Sequence, residues 1–358
     1  DTKTLVVTLV KPTPFFLDLI CNSVYMPTNK AFYDKQPIEN NSTMYGTEAV
    51  NIMGNGPFVI KEWNHDNYIE LVKNENYWNA KEIKLDKITF KMIKDASAEF
   101  TAFQAGELDM TEITQESQKN QIDKSQVVIG HYDTGATIYA AFNHKDTLLS
   151  NVNIRKALAY SINRDSLIHK VTRDNSEKAL GFVSSAIHGK QDLFRKETGD
   201  LFNDNNIHEA KALFSKGLQE LGLSQPTSLT LLIDDKETAK RDAQAYQEMW
   251  RNNLGIKVSI EIMPWDAMLG KLMQQDYQIA LLPWHADYND PMPFLEIFTA
   301  NSGFNVYQYN NPAFDELINK VDGETSKEKR MDLFMQAEKM VMDDMVVAPM
   351  YFAKNSFA

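Results

Sequence analysis

The second half of the chain alternates short apolar runs with longer segments of helical periodicity. Three runs rich in aliphatic residues, SLTLLID, IKVSIEI and YQIALLPW, predict strands over residues 228–234, 256–262 and 277–284. Between them, apolar positions recur every three or four residues over 236–255 and 265–275, which predicts two helices. Strands that are separated by helices of this length imply right-handed crossovers and a parallel sheet.

The first half shows shorter elements. TLVVTLV predicts a strand over residues 4–10, which Pro12 then ends, and FFLDLI predicts a short helix directly after it. Two alternating stretches around His65, Asp66 and Asn67 predict a β-hairpin within 54–78. A further strand and helix, over 87–94 and 97–110, begin a β-α alternation.

A chain of 358 residues is long enough for two domains. No repeat or Gly/Ser-rich linker separates them, so the boundary is expected where ordered strands cross between domains. We place this crossing around 133–139.

The composition restricts the classes of partner. There are 49 acidic residues against 37 Lys plus Arg, and the net charge of -12 repels phosphate backbones, which makes nucleic acid an improbable partner. The single cysteine, Cys21, excludes an intrachain disulfide. No window has the apolar length of a membrane helix and no signal peptide is visible, while both ends look cut from something longer, so we expect a fragment.

Candidate chemistry is concentrated in LLPWHADYNDP, residues 281–291, where a buried strand meets Trp284, His285 and Asp287. Trp265 follows the preceding strand in the same way, next to a proline. Ligands bind beyond the carboxyl ends of strands in open parallel sheets, because loops and helix N-termini converge there. The two strand ends therefore predict a binding cleft.

Each of these residues also has an ordinary structural interpretation. Partial burial among aromatic rings would give Asp287 a cationic partner, which could be a ligand ammonium, an internal Lys or Arg, or a helix that it caps. Trp265 and Trp284 could be core residues, although a tryptophan at a strand end suits a cleft wall better.

Enzymatic and metal-binding interpretations receive little support. His285, Asp287 and Asp290 are suitable donors for a metal, but their spacing matches no known ligand motif, and a solvent-facing histidine is the simpler interpretation. No G-x-S-x-G elbow or activated cysteine accompanies them. GNGPF at 54–58 lacks the Lys-Ser/Thr ending of a phosphate loop and is expected to be a turn.

A series of segments, taken together and in order, resembles the extracellular solute-binding proteins of oligopeptide and dipeptide ABC transporters (family 5). The resemblance runs along nearly the whole chain and is carried by TLVVTLVKPTPFFLDLI, GNGPFVIKEW, KNENYWNA, KLDKITFKMIKDASAEFTAFQAGELDM, NIRKALAYSINRDSLI, ADYNDPMPFLEIF, NPAFDELI and QAEKMVMDDMVVAPMYF.

This resemblance implies an α/β fold of the periplasmic binding protein type II class, bilobal, with mixed sheets flanked by helices. It assigns residues 1–28 to the remnant of an extra N-terminal domain and 29–135 to part of lobe one. Residues 136–354 form lobe two with its parallel βαβ units, and 355–358 begin the return to lobe one. The start of lobe one, most of the extra domain and a closing C-terminal segment are expected to be missing.

The resemblance also implies the roles of individual residues. Asp287 occupies the position whose aspartate holds the peptide α-amino group. Trp265 lines side-chain pockets, and Trp284 with His285 flanks the same wall. Tyr139 and Asn143 match, more loosely, the segment that meets the peptide main chain. Some relatives carry an arginine shortly before the tryptophan for the ligand carboxylate, whereas this chain has Leu281–Pro283 there.

The implied function is extracytoplasmic capture of short peptides between two lobes and delivery to an ABC importer, without enzymatic activity or cofactor. The expected partners are a short peptide and the permease subunits of the transporter, with the protein a monomer, either lipid-anchored at the cell surface or periplasmic. The alternatives are a related receptor for haem, a nickel complex or another small solute, a receptor for peptide pheromones, and, more distantly, a hydrolase or metalloenzyme that uses His285 and Asp287.

Overall fold

The computed structural model describes residues 4–113 and 116–358. The chain divides into two compact units: Asn22–Thr111, called here the small unit, and Asp1–Cys21 with Glu112–Ala358, called the large unit. The predicted domains end at residues 28 and 135 instead. Residues 112–135 belong to the large unit because two strands of its sheet begin there. The assignment of the predicted domains to lobes remains a prediction.

Strands and helices are numbered in chain order within the described residues. The strands are β1 (Ile38–Glu39), β2 (Ser42–Thr43), β3 (Phe58–Asn64), β4 (Tyr68–Lys73), β5 (Lys87–Lys91), β6 (Glu112–Ile113), β7 (Gly130–Phe142), β8 (Glu177–Lys178), β9 (Leu229–Asp234), β10 (Val258–Met263), β11 (Ile279–His285) and β12 (Val347–Phe357). The α-helices are α1 (Phe16–Leu19), α2 (Lys30–Tyr33), α3 (Ala96–Gln104), α4 (Glu116–Lys119), α5 (Val152–Tyr160), α6 (Arg164–Ser166), α7 (Phe194–Thr198), α8 (Ile207–Glu220), α9 (Glu237–Leu254), α10 (Trp265–Met273), α11 (Met292–Leu295), α12 (Pro312–Gly323) and α13 (Lys327–Asp343).

The large unit is built on one mixed sheet. Its strands lie in the order β10-β9-β11-β7-β12-β6, and β8 pairs with β12. β9 runs parallel to both β10 and β11, as the helical crossovers predict. The other neighbour of β11 is antiparallel, because β7 enters the sheet from the opposite end. β7 continues through the predicted crossing at 133–139 as part of one strand.

The core of the large unit lies where helices cover this sheet. In α9, Asp242, Ala243, Tyr246 and Trp250 are buried, as expected for a helix with one apolar stripe. The indole of Trp250 donates to the carbonyl of Leu158 at 3.0 Å, so its one polar atom is satisfied inside the core. The helix that periodicity predicted over 236–255 is therefore present as α9. None of the helices in the described ranges is long and apolar enough to cross a bilayer.

The small unit contains the predicted hairpin. β3 and β4 pair antiparallel from Phe58↔Lys73 to Asn64↔Tyr68, and β5 adds a third strand. Asp66 turns the chain with a φ of 61°, a left-handed conformation that aspartate tolerates.

The strand predicted at 4–10 is not formed. Residues 5–10 join no sheet of the described chain, and Val10 is fully exposed. A β-branched run becomes a strand only when a second strand supplies hydrogen bonds to its backbone. The short helix predicted after it is present as α1.

A buried carboxylate joins two parts of the large unit. Glu338 is fully buried on α13, where Oε1 accepts from the backbone N–H groups of Phe182 and Val183 and from the Arg195 guanidinium. The guanidinium of Arg195 lies against Gly181, where an added Cβ would stand 1.3 Å from Nη1. A side chain at 181 would therefore force the Arg195 guanidinium to move from its place beside Glu338.

Replacing Gly181 by Ala is expected to lower the free energy of unfolding by about 2 kcal/mol, since the methyl group would displace a guanidinium that a buried carboxylate holds. Urea unfolding measures the loss. Gly270 on α10 has no atom within 4 Å of an added Cβ, so Gly270→Ala is the matched control and is expected to be neutral or stabilising. Equal stability of the two variants would contradict the packing described for Gly181.

Candidate functional site

A cavity of about 690 Å³ lies at the carboxyl ends of β10 and β11. Its lining includes Trp265, which follows β10, residues 283–285 at the end of β11, and Asp287 two residues beyond. Residues of the 296–304 segment complete the lining. Both strands run in the same direction as β9, so their ends meet at one edge of the sheet. Four of the six predicted site residues line this one cavity.

Aromatic rings form much of its wall. Trp284 meets Phe304 edge to face, with ring centroids 5.4 Å apart and planes at 70°. The Trp284 indole N–H donates to the carbonyl of Pro293 at 2.8 Å, which fixes the ring. Trp265 and Phe304 keep 40% and 56% of their surface exposed, more than core residues would. These rings can therefore still cover apolar parts of a ligand.

The cavity is acidic. Asp287 and Glu296 line it, and among the described lining residues neither Lys nor Arg is present. Although Glu296 reaches solvent, partial burial raises the pKa of its carboxyl, and the nearby charge of Asp287 raises it further. The carboxyl of Asp287 is exposed rather than partly buried as we expected. The two carboxylates together favour a cation at this position.

The segment that carries Asp287 is anchored on its C-terminal side. Asp290 is buried and accepts from the backbone N–H of Met292 at 2.9 Å, at the start of α11. Its carboxylate also receives both terminal nitrogens of Arg330, which is itself buried on α13. Asp290 thus supports the start of α11 and pairs with an internal cation, two of the roles considered above for Asp287.

Asn289, between Asp287 and Asp290, provides a second anchor. The side chain of Asn289 accepts from the backbone N–H of His188 at 3.0 Å, and its amide nitrogen lies 3.1 Å from Nδ1 of the same residue. This pairing joins the segment to the loop at 184–193. The chain around Asp287 is therefore held although the carboxylate itself faces solvent.

The structure does not place Tyr139 and Asn143 at this cavity. Tyr139 is 1% exposed in β7, and its hydroxyl lies 2.7 Å from that of Tyr307. Asn143 is buried, and its amide donates to the carbonyls of Gln275 and Tyr277. The side-chain polar groups of both residues are used inside the large unit, and their predicted contact with a ligand main chain has no support from this geometry.

The metal and hydrolase interpretations gain nothing from the geometry. No three His, Cys, Asp or Glu side chains within residues 4–113 and 116–358 are grouped so that they could hold a metal ion. His285 is exposed at the rim of the cavity, and Asp290 is turned away to Arg330.

Two residues of the cavity wall were missed from the sequence. Phe304 lies in the loop NSGFN, and Glu296 lies just before the apolar pair Ile297–Phe298. An exposed aromatic ring next to glycine gives a weak signal for the first. Glu296 gives no sequence signal, because a glutamate next to an apolar pair is an ordinary surface feature.

Comparison with known proteins identifies the family. The model of the family described as "Bacterial extracellular solute-binding proteins, family 5 Middle" matches residues 1–306. The oligopeptide-binding protein OppA of Bacillus subtilis (strain 168) is 38% identical over 365 residues, covering 99% of this chain and 65% of that protein. The chain thus spans slightly less than two thirds of the length of this relative.

Solved structures of similar proteins agree. Listeria monocytogenes OppA bound to peptide superposes with a TM-score of 0.79 and 27% identity, covering 98% of this chain and 68% of that one. The pheromone receptor PrgZ superposes with a TM-score of 0.79 and 29% identity, with the same coverage. The α/β fold of the periplasmic binding protein class that the sequence predicted is confirmed. The chain belongs to the bacterial extracellular solute-binding proteins of family 5.

Proposed function

We propose that this chain captures short peptides outside the cytoplasmic membrane for delivery to an ABC importer. The observation that carries the proposal is the exposed carboxylate of Asp287 at the edge of a cavity walled by Trp265, Trp284 and Phe304. A volume of about 690 Å³ lies within the usual range for sites of small ligands. The function is binding and release, with no bond made or broken.

Asp287 receives the α-amino group of the peptide. A carboxylate that meets an ammonium forms charge-assisted hydrogen bonds, which are stronger than neutral ones. Glu296 adds a second negative charge to the same cavity, and neither Lys nor Arg is among the described residues that line it. The aromatic rings then cover side chains without selecting one sequence, because apolar surface contact is non-directional. The amino terminus thus sets where the peptide begins.

The partners follow from this role. The ligand is a short peptide enclosed between two lobes, and the closed form docks to the permease subunits of a membrane ABC transporter. The protein acts as a monomer, in the periplasm or anchored to the cell surface by lipid. Names of relatives support the peptide and transporter parts of this proposal: one is an oligopeptide-binding protein and another is described as bound to peptide.

A peptide pheromone is the second candidate ligand. It is favoured by the similarity to PrgZ, whose structure is described as showing the mode of peptide binding of a pheromone receptor. The same ammonium contact would serve both classes of ligand, so the length and source of the bound peptides distinguish them.

Mass spectrometry of the small molecules released from the purified chain by acid tests the proposal, with metal analysis of the same sample. A mixture of short peptides is expected for a nutrient receptor, and a single species for a pheromone receptor. If haem or a nickel complex is released, the protein is a receptor for that solute. If nothing is released, and free-amino tri- to pentapeptides fail to bind in calorimetry, peptide capture by this chain is wrong.

Replacing Trp265 by Ala is expected to weaken peptide binding by about 1 kcal/mol, the scale of one aromatic contact, and to leave the unfolding midpoint almost unchanged. The reason is that 40% of the side chain is exposed at the cavity wall. Calorimetric titration and urea unfolding measure the two effects. Trp78→Ala is the matched control, since Trp78 is 84% exposed in the small unit. A Trp265→Ala variant that unfolds would make this tryptophan a core residue.

A further inference from the structure

An aromatic stack supports the residue next to Asp287 from a distant part of the chain. The ring of Phe15 lies on that of Tyr288, with centroids 4.7 Å apart and planes at 14°. Tyr288 directly follows Asp287, whereas Phe15 lies in the N-terminal segment just before α1. Both belong to the large unit. The N-terminal segment, residues 11–16, therefore contacts the loop that carries Asp287, the residue proposed to bind the peptide amino group.

The stack continues into the buried ion pair. The Arg330 guanidinium lies over the rings of Phe15 and Phe334, with its central carbon 5.1 and 4.6 Å from their centroids. Arg330 in turn binds Asp290. A closed series of contacts thus runs from Tyr288 through Phe15 and Arg330 back to Asp290. Both ends of the Tyr288–Asp290 turn are tied to the same guanidinium, one directly and one through the ring of Phe15.

The N-terminal segment is itself fixed next to this series. The ammonium of Lys11 pairs with the carboxylate of Asp322 on α12, and the backbone N–H of Phe16 donates to the carbonyl of Thr13 at 3.0 Å. An ion pair therefore ties this segment to α12 four residues before Phe15, and a local turn sets the backbone of Phe15. Its ring, which is half-buried, can act as a stable support instead of following the motion of Tyr288.

We propose that Phe15 is a positioning residue for Asp287: its stack on Tyr288 holds the turn so that the carboxylate faces the cavity before a ligand arrives. The inference rests on the proposed function for its consequence in binding. An exposed carboxylate on a loose turn must be ordered when it binds a ligand, and that ordering lowers affinity. A ring that already fixes the turn removes this cost for ligands that use Asp287 and for no others.

The test compares three variants of the full chain. Phe15→Leu keeps an apolar side chain but removes the stack, Phe15→Tyr restores a ring, and Phe16→Leu changes the neighbouring phenylalanine as the matched control. Affinity is measured by calorimetry for trialanine and for N-acetyl-trialanine. Phe15→Leu is expected to weaken trialanine binding about fivefold, the scale of one aromatic pair. The acetylated peptide should respond much less, and Phe15→Tyr should recover most of the affinity.

Amide hydrogen exchange provides a readout that needs no ligand. The N–H of Asp290 donates to the carbonyl of Tyr288 at 2.8 Å, and the N–H of Met292 donates to the carboxylate of Asp290. Both should exchange about tenfold faster in Phe15→Leu and at the original rate in Phe15→Tyr and Phe16→Leu, because the stack limits local opening of the turn.

The outcomes separate this inference from the proposed function. If the original chain binds both peptides equally or neither, the ammonium contact is wrong, and exchange alone then decides whether Phe15 orders the turn. If the original chain prefers trialanine and Phe15→Leu retains that preference with unchanged exchange, Phe15 does not position Asp287. An equal loss for both peptides, with accelerated exchange throughout the large unit, would make Phe15 a residue of general stability and would also overturn the inference.

Discussion

Replacing Asp287 by Asn weakens binding of a free-amino peptide by about 2 kcal/mol or more, the scale of losing one member of a desolvated charge pair. Asparagine keeps the size of the side chain but presents an NH₂ group and no charge to the ligand ammonium. Glu296 remains in the cavity and retains part of the attraction for a cation. The measurement is calorimetric titration of trialanine against both proteins at one salt concentration.

Two controls make this result specific. N-acetylated trialanine has no ammonium, so its affinity is expected to change much less on Asp287→Asn. Asp266→Asn removes an equal charge from an exposed aspartate on α10, next to the cavity but not in its wall. This variant tests whether the loss of any negative charge near the cavity weakens peptide binding as much as the loss of Asp287. Equal losses for both peptides, or an equal loss in Asp266→Asn, would contradict the assignment of Asp287 to the amino group.

The position of the cleft could be predicted because it depends on local pattern and on sheet topology. Alternating strands and helices implied parallel neighbours around β9, and the carboxyl ends of parallel strands meet at one edge. Trp265 follows the end of β10 and Trp284 lies in the last residues of β11, so they were expected to lie together, and they line the same cavity. No long-range contact needed to be known for this conclusion.

Tyr139 and Asn143 show where the pattern stops being informative. Strand periodicity gives the face of a residue but not what covers that face. In the structure Tyr307 covers Tyr139, and the turn at 275–277 receives the amide of Asn143. These contacts join residues more than 130 positions apart, as the hydrogen bonds show. A family resemblance that matches only loosely at Tyr139 and Asn143 does not reveal these long-range contacts.

The strand predicted at 4–10 is missing for a similar reason, because local pattern does not show whether a partner strand is present. The β-branched run has strong strand propensity, yet propensity contributes little without the ladder partner that a sheet supplies. For Phe15, a few residues later, the sequence predicts only membership of a short helix. Its stack on Tyr288 crosses 273 positions of sequence and no periodic pattern contains it.

Arg330, in contrast, leaves a signal in the sequence. It lies on the apolar stripe of α13, in helical register with Phe334, Ala337 and Val341, and all four are buried. A cation on such a stripe is rarely buried unless it is paired. The pattern therefore predicts a buried anionic partner for Arg330, although only the structure identifies it as Asp290.

Arg330→Met is expected to lower the free energy of unfolding by about 3–5 kcal/mol, because it leaves the buried carboxylate of Asp290 without its cation. Methionine retains much of the apolar stem, so the loss reports the charge more than the packing. Arg330 and Asp290 are 2% and 4% exposed, and this low exposure limits how far solvent can compensate. Urea unfolding followed by tryptophan fluorescence measures the change, with the fully buried Trp250 reporting on the large unit.

The double variant Arg330→Met with Asp290→Asn separates the charge from the shape. Asparagine can still accept the N–H of Met292 through its side-chain oxygen, so the hydrogen bond at the start of α11 is kept. With no unpaired charge left in the interior, the double variant should be more stable than Arg330→Met alone. Arg251→Met is the matched control, since its pair with Glu248 is exposed and should contribute less than about 1 kcal/mol. A double variant less stable than the single one would mean that Arg330 acts through its stacking on Phe15 and Phe334 and not through Asp290.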